Sequence, residues 1–316
     1  MSSVRRMRLG PRLRRALFGI SPAEGDLARR GFAATSAAAR TRLEAIARTF
    51  IDGYNASLAE TNDELLPSVD PELRGFSVEG EAMGAALLDH LTPWRRDGVR
   101  ALLERRSEHV YMIHVGTGWA TARLRASLSR AIARRDPLLG WLVADGWGFH
   151  QAYFHPRRWA HGRAAFRVDR CIARVVDQGI GRALWFVAGA DPARVAEHVS
   201  GFTRERHADL WSGIGLAATY AGGVDRDALE SVRRLARDHR GSLAQGAAFA
   251  ATARVTAANV VAHVELAART FTGQTASELA SLTNASRPSS PVARSGDAYE
   301  AWRTRIREAL ARSEAA

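Results

Sequence analysis

The sequence predicts a mainly α protein built as a single helical domain, and three observations carry that expectation. Apolar residues recur at helical spacing, most clearly Leu43, Ile46, Ala47, Phe50, Ile51, Tyr54 and Leu58. Helix starts are marked by capping boxes at Ser21-Pro22-Ala23-Glu24 and Thr275-Ala276-Ser277-Glu278. Strand signals are few. The chain has 316 residues, 46% hydrophobic and 25% charged, which is ample for a sizeable core.

Residues 1–20 read as a basic arm: Arg5, Arg6, Arg8, Arg12, Arg14 and Arg15 have no acid among them, and Leu9, Leu13, Leu17 and Phe18 are interleaved. Such an arm either touches an acidic partner or membrane surface, or is a frayed terminus that docks its last apolar residues. After the Ser21 capping box comes the amphipathic helix around Phe50. Residues 62–75 are polar and loop-like. Residues 75–88 lead into a small-residue helix suited to close packing, and Thr92-Pro93 starts another. Residues 109–120 are apolar without alternation and are expected as a buried helix.

Asp136-Pro137 and Asp191-Pro192 open later helices, the aspartate capping free amides and the proline fitting the first turn. Three segments, 136–155, 177–186 and 209–223, mix glycine, tryptophan or tyrosine, and acid. They show no fixed period, so no solenoid is expected. Residues 225–238 read as a charged surface helix and 242–270 as one long alanine-rich helix. Residues 284–297 read as a linker, followed by a short charged helix near 299–311. The expected organisation is a basic N-terminal arm (1–20), a helical domain with glycine- and aromatic-rich buried helices (21–283), and a flexible C-terminal tail of linker and short helix (284–316).

The net charge is +12, and every one of the 45 basic residues is arginine. Arginine forks suit phosphate, but the charge is spread along the chain and no nucleic-acid-binding motif accompanies it, so no nucleic-acid partner is expected. The single cysteine, Cys171, permits no intrachain disulfide, which fits a reducing cytoplasm. No apolar run is long enough for a membrane span, and no apolar stretch follows the first arginines as in a secretory signal. The expected location is cytoplasmic, with peripheral membrane association through the basic arm as the alternative.

The segment 136–155 is the richest in chemistry. It is apolar, yet it holds Asp145, His150, Tyr153 and His155, whose burial costs several kcal/mol unless each finds a partner. If a pocket gathers them, they are candidates for proton transfer, with Glu79 able to join. Metal ligation is less well served. A five-residue step from His150 to His155 turns through roughly 140° on a helix, off a shared face, unless Gly146 and Gly148 break it. Asn259 and His263 sit four apart on one expected face. No nucleophile elbow, Walker loop or dinucleotide fingerprint is present. Trp119, Trp141, Trp147, Tyr153, Trp185, Trp211 and Tyr220 form either the walls of a pocket for a hydrophobic ligand or an aromatic core.

Several motifs together resemble a bacterial family labelled domain of unknown function 1702. They include Leu17-Phe18-Gly19-Ile20-Ser21-Pro22, Gly53-Tyr54-Asn55, Glu79-Gly80, Met112-Ile113-His114-Val115-Gly116, Asp145-Gly146, Gly148-Phe149-His150 and Tyr153-Phe154-His155. The likeness continues through Asp177-Gln178-Gly179, Leu184-Trp185-Phe186, Asp209-Leu210-Trp211-Ser212-Gly213, Tyr220-Ala221-Gly222-Gly223 and Leu243-Ala244-Gln245-Gly246. Ala152 stands where glycine is expected. The resemblance implies an accessory protein of enediyne-type polyketide biosynthesis, acting on or with a linear polyene. It supplies no cofactor, metal or catalytic residue list. The expected substrate contacts are Glu79, His114, Trp119, Trp147, Asp177, Trp185, Asp209, Trp211 and Tyr220. Two other functions stay open: a non-catalytic partner of pathway proteins, including a membrane-bound one, and an isoprenoid-cyclase-like enzyme lacking the usual aspartate-rich motif.

Overall fold

The computed structural model describes residues 10–92, 97–160, 168–289 and 295–315. Among these there are helices and no strand. Seven helices form the frame: α1 (Ala37–Ala59), α2 (Arg74–Leu91), α3 (Val110–Arg123), α4 (Leu142–Phe154), α5 (Arg170–Val187), α6 (Arg204–Ala221) and α7 (Arg240–Thr256). Each packs on the next in chain order. Shorter helices connect them. No helix among the described residues is long and apolar enough to cross a membrane.

Glycine sets how closely the helices approach. On α4, a Cβ at Gly146 would lie 1.9 Å from the Val115 carbonyl oxygen of α3, and one at Gly148 would lie 2.2 Å from that of Val176 on α5. The same Gly-x-Gly pair recurs as Gly116 and Gly118 on α3, Gly179 and Gly181 on α5, and Gly213 and Gly215 on α6. In every pair the first glycine admits the preceding helix and the second admits the following one. Neighbouring helices run in opposite directions, since Val115 faces Gly146 while Val143 faces Gly118. The sequence shows no fixed period because the connectors differ in length; the structure is nevertheless a repeated stack, with each frame helix packed chiefly on its neighbours.

Fixing the rotation of each helix also fixes the residue just before the glycine that admits the preceding helix. On α3 the apolar Val115 holds that place, and elsewhere Glu79, Asp145, Gln178, Ser212 and Gln245 hold it and are all buried. They form a polar row through the core. Gln178 donates to Asp145 at 2.7 Å, and the Ser212 hydroxyl donates to Gln245 at 2.9 Å. Arg182 pairs with Asp145 and lies 3.7 Å from Glu79, and Trp119 Nε1 donates to Glu79 at 3.0 Å. Buried charge is tolerated because each member has a partner.

Several expectations are corrected. Gly146 and Gly148 do not break α4, which runs unbroken to Phe154. The alanine-rich run is two helices, α7 and Ala262–Thr272, and Asn259 lies in the turn between them, where it donates to the Pro71 carbonyl. The C-terminal segment is docked, not a flexible tail. Its helix, Gly296–Ala315, buries Tyr299, Trp302, Ile306 and Leu310. Trp302 Nε1 donates to the Thr283 carbonyl at 2.9 Å, and Arg303 pairs with Asp209 at 2.8 Å. At the other end, Pro11–Phe18 is a short helix with Leu13 and Leu17 exposed. Residues 1–9 of the basic arm, Pro93 and part of the expected linker lie outside the described residues.

Candidate functional site

The largest concavity opens where α4 ends. The helix stops at Phe154 because Pro156 pushes the residue before it, His155, out of helical geometry (φ −128°, ψ 54°). Four pieces wall the cleft, which holds about 1450 Å³. They are the segment after Phe18, the end of α3, the last turns of α4, and residues 155–159. The first wall is fastened to α1. Tyr54 donates to the Phe18 carbonyl at 2.8 Å, and Asn55 exchanges hydrogen bonds with the Ile20 backbone at 2.9 and 2.8 Å.

His150 lines this cleft at only 7% exposure. Its ring meets Trp119 edge-on at 5.8 Å and lies 4.8 Å from Phe154 and 6.3 Å from His155. Its Nδ1 is buried without a hydrogen-bond partner among the described residues. Burial, then the positive field of His155, Arg123 and Arg30, pushes its pKa down to about 3, so the ring is neutral near pH 7. His155 is more exposed and is lowered by its partial burial and by Arg30, Arg125 and Arg158. Trp147, Phe154 and Trp159 complete the aromatic part of the lining.

The other residues singled out from sequence are distributed through the fold. Tyr153 lines the adjoining inner cavity instead, where its hydroxyl donates to the Glu24 carbonyl at 3.2 Å and burial pushes its pKa up to about 12. Arg30 caps it, with the guanidinium 4.5 Å from the ring centre and donating to the Tyr153 carbonyl at 2.6 Å. Asp145 is fully buried in the polar row and is not brought together with His150. Glu79 and Trp119 line a second, inner cavity with Phe50, Phe149 and Phe186, but it holds only about 40 Å³, space for water and not for a carbon chain. Burial pushes Glu79 up to about 7 against the opposing pull of Arg182.

Asp177 pairs with Arg206 at 3.0 Å, and Asp209 with Arg174 at 3.0 Å. Trp185 donates to the Gly222 carbonyl at 3.0 Å, Trp211 is core, and Tyr220 lies under Arg254 at 4.1 Å. His114 bonds the Val110 carbonyl through Nδ1 at 2.8 Å, and burial lowers its pKa. Of the expected residues, therefore, the cleft gathers His150, His155 and Trp147. It adds a set that sequence reasoning did not assign: Arg29, Arg30, Arg123, Arg125, Arg157 and Arg158. The pairs Arg29-Arg30 and Arg157-Arg158 were visible in the chain, but among so many arginines nothing marked them as neighbours in space. Among the described residues no three His, Cys, Asp or Glu side chains are placed to hold a metal ion together.

A model of the family described as "protein of unknown function (DUF1702)" matches residues 10–310. No curated protein and no solved structure matches the chain.

Proposed function

The chain belongs to the DUF1702 family, and from that premise we propose that it is an accessory biosynthetic enzyme holding a linear apolar intermediate in the His150 cleft. The observation that carries this reading is the cleft itself. It offers about 1450 Å³ over an apolar floor that includes Ile20, Met83, Trp147, Phe154 and Trp159, with one buried, neutral imidazole in its lining. Apolar surface beside placed polar groups is what a site for a chain-like ligand needs, and here the apolar residues lie beside six arginines. In this reading the pathway is enediyne-type polyketide assembly and the ligand a linear polyene, as the resemblance described above implies. His150 would act as a neutral relay, accepting a hydrogen bond or proton from the ligand and returning it. Its low pKa makes it a weak base in the empty cleft.

The scaffold alternative draws on the N-terminal helix, where Leu13 and Leu17 are exposed beside Arg12 and Arg15. The cyclase alternative draws on the aromatic walls around Glu79. Their cavity of about 40 Å³ and the nearby Arg182 are poor surroundings for a carbocation. In a reconstituted pathway, His150→Gln is expected to stop product formation in a protein whose melting temperature is unchanged, while deletion of residues 1–16 leaves product formation intact. The opposite pair of results would replace the enzyme reading with the scaffold.

A further inference from the structure

The cleft that holds His150 is strongly positive as well as apolar. Six arginines line it, with Glu24 as the sole carboxylate among its lining residues. Arg30 takes Glu24 in an ion pair, and Arg123 donates to the Tyr54 hydroxyl at 3.0 Å. Arg29, Arg125, Arg157 and Arg158 have no ion-pair partner among the described residues, and Arg158 lies 5.8 Å from the Trp159 ring centre. Arg125 takes a left-handed backbone (φ 51°) just past the end of α3, a conformation an arginine rarely adopts without support from its surroundings. The negative end of α3 offsets part of the charge at Arg123 and Arg125, and that of α4 part of the charge at Arg157 and Arg158.

Two buried polar atoms in the same lining have no partner: Nδ1 of His150 and Nε of Arg30. The Arg30 Nε–H is an obligate donor, and a buried donor left unmade costs about 1–3 kcal/mol. An acceptor oxygen arriving in the cleft would satisfy the Arg30 Nε–H, and it would satisfy His150 in the tautomer that carries its proton on Nδ1.

We propose that the ligand of this cleft carries an anionic head, a phosphate or a carboxylate, at one end of its apolar chain. Resting on the function proposed above, this narrows the substrate class of the same site. Arg125, Arg157 and Arg158 take the head, and Trp147, Phe154 and Trp159 take the chain.

Three ligands with one chain and different heads test it: dodecyl phosphate, dodecanoate and dodecanol, titrated calorimetrically below micelle formation. They are compared on the wild-type protein and on an Arg125→Gln, Arg157→Gln, Arg158→Gln variant. All three positions are exposed, so the variant is expected to melt with the wild type. At least one anion is expected to bind roughly tenfold or more tightly than the alcohol, from charge-assisted contacts, and the variant is expected to lose that preference while keeping alcohol binding. Whichever anion is preferred identifies the head. Alcohol binding as tight as that of both anions, or a preference that survives in the variant, overturns the anionic head and leaves the apolar cleft standing. Binding of none of the three overturns both. Co-sedimentation with phosphatidylglycerol vesicles that the variant abolishes would assign the arginines to a membrane headgroup and overturn the free ligand.

Discussion

Replacing Gly146 with alanine is the sharpest test of what positions the site. The new Cβ would stand 1.9 Å from the Val115 carbonyl oxygen and 2.7 Å from its carbon. Both are backbone atoms of α3, so no side chain can rotate away. Ordinary contact begins near 3.4 Å, so α3 and α4 must part by more than an ångström, loosening the Gly118–Val143 contact at the same crossing. Overpacking of this kind costs about 1–3 kcal/mol, and the better helix propensity of alanine returns at most about 1 kcal/mol. Lost contacts along the crossing place the expected net cost near 2 kcal/mol or above, a fall in melting temperature of roughly 3 °C or more for a chain this long. Gly241 is the control. It lies within α7 with nothing within 4 Å of its would-be Cβ, so Gly241→Ala is expected to hold or slightly raise the melting temperature. Thermal unfolding followed by circular dichroism decides. A Gly146→Ala protein as stable as wild type, or equal effects at the two glycines, would refute the claim that backbone approach dictates these residues.

Three further outcomes follow from the polar core and the docked end. Glu79 has its pKa raised to about 7 from 4.5, so its stabilising contribution is present below pH 4.5 and is lost as pH rises through about 7. Glu79→Gln is therefore expected to gain on wild type between about pH 5 and pH 8, by up to about 3 kcal/mol in urea unfolding, and a constant difference across that window would contradict the burial of a strained acid. Arg182→Met leaves Asp145 and Glu79 without their cation and is expected to cost about 3–5 kcal/mol at neutral pH and less in mild acid, where Glu79 holds its proton; a pH-independent loss would contradict the pairing. Truncation after residue 289 removes Tyr299, Trp302, Ile306 and Leu310 from the core. At about 1.5–3 kcal/mol each this rivals the stability of a whole domain, so near-ultraviolet circular dichroism should collapse, and a wild-type spectrum would show the helix to be dispensable.

The helical class was legible because its signal is local: Leu43, Ile46, Phe50, Tyr54 and Leu58 recur on one stripe and are buried together. The role of the glycines was harder to read. In isolation a glycine weakens a helix, which makes Gly146 and Gly148 look like breaks, whereas backbone-to-backbone approach between helices requires them. The docked C-terminal helix was missed for a similar reason. Its sequence is charged, and Arg303 becomes a core residue only because Asp209, far off in the chain, waits for it. The aromatic and histidine signal of 147–155 falls at the end of α4 where the cleft opens. Asp145 did not join His150 because five residues turn a helix well off one face, whereas His155 lies past the end of α4 and lines the cleft with His150. The arginine lining arises from three separate chain segments, and no local pattern distinguishes those arginines from the rest.

Photo-crosslinking tests the central claim most directly. A linear apolar chain bearing a terminal carboxylate and a benzophenone is irradiated with the tag-free protein, and labelled peptides are mapped by mass spectrometry. Labels are expected in residues 19–30, 122–125 and 147–159, with competition by unlabelled dodecanoate and loss in a cleft-filling Ala122→Trp protein that still folds. Labels confined to other surfaces, such as the acid-lined groove between Glu60 and Asp97, or labels indifferent to Ala122→Trp, would contradict the assignment of the His150 cleft as the ligand site.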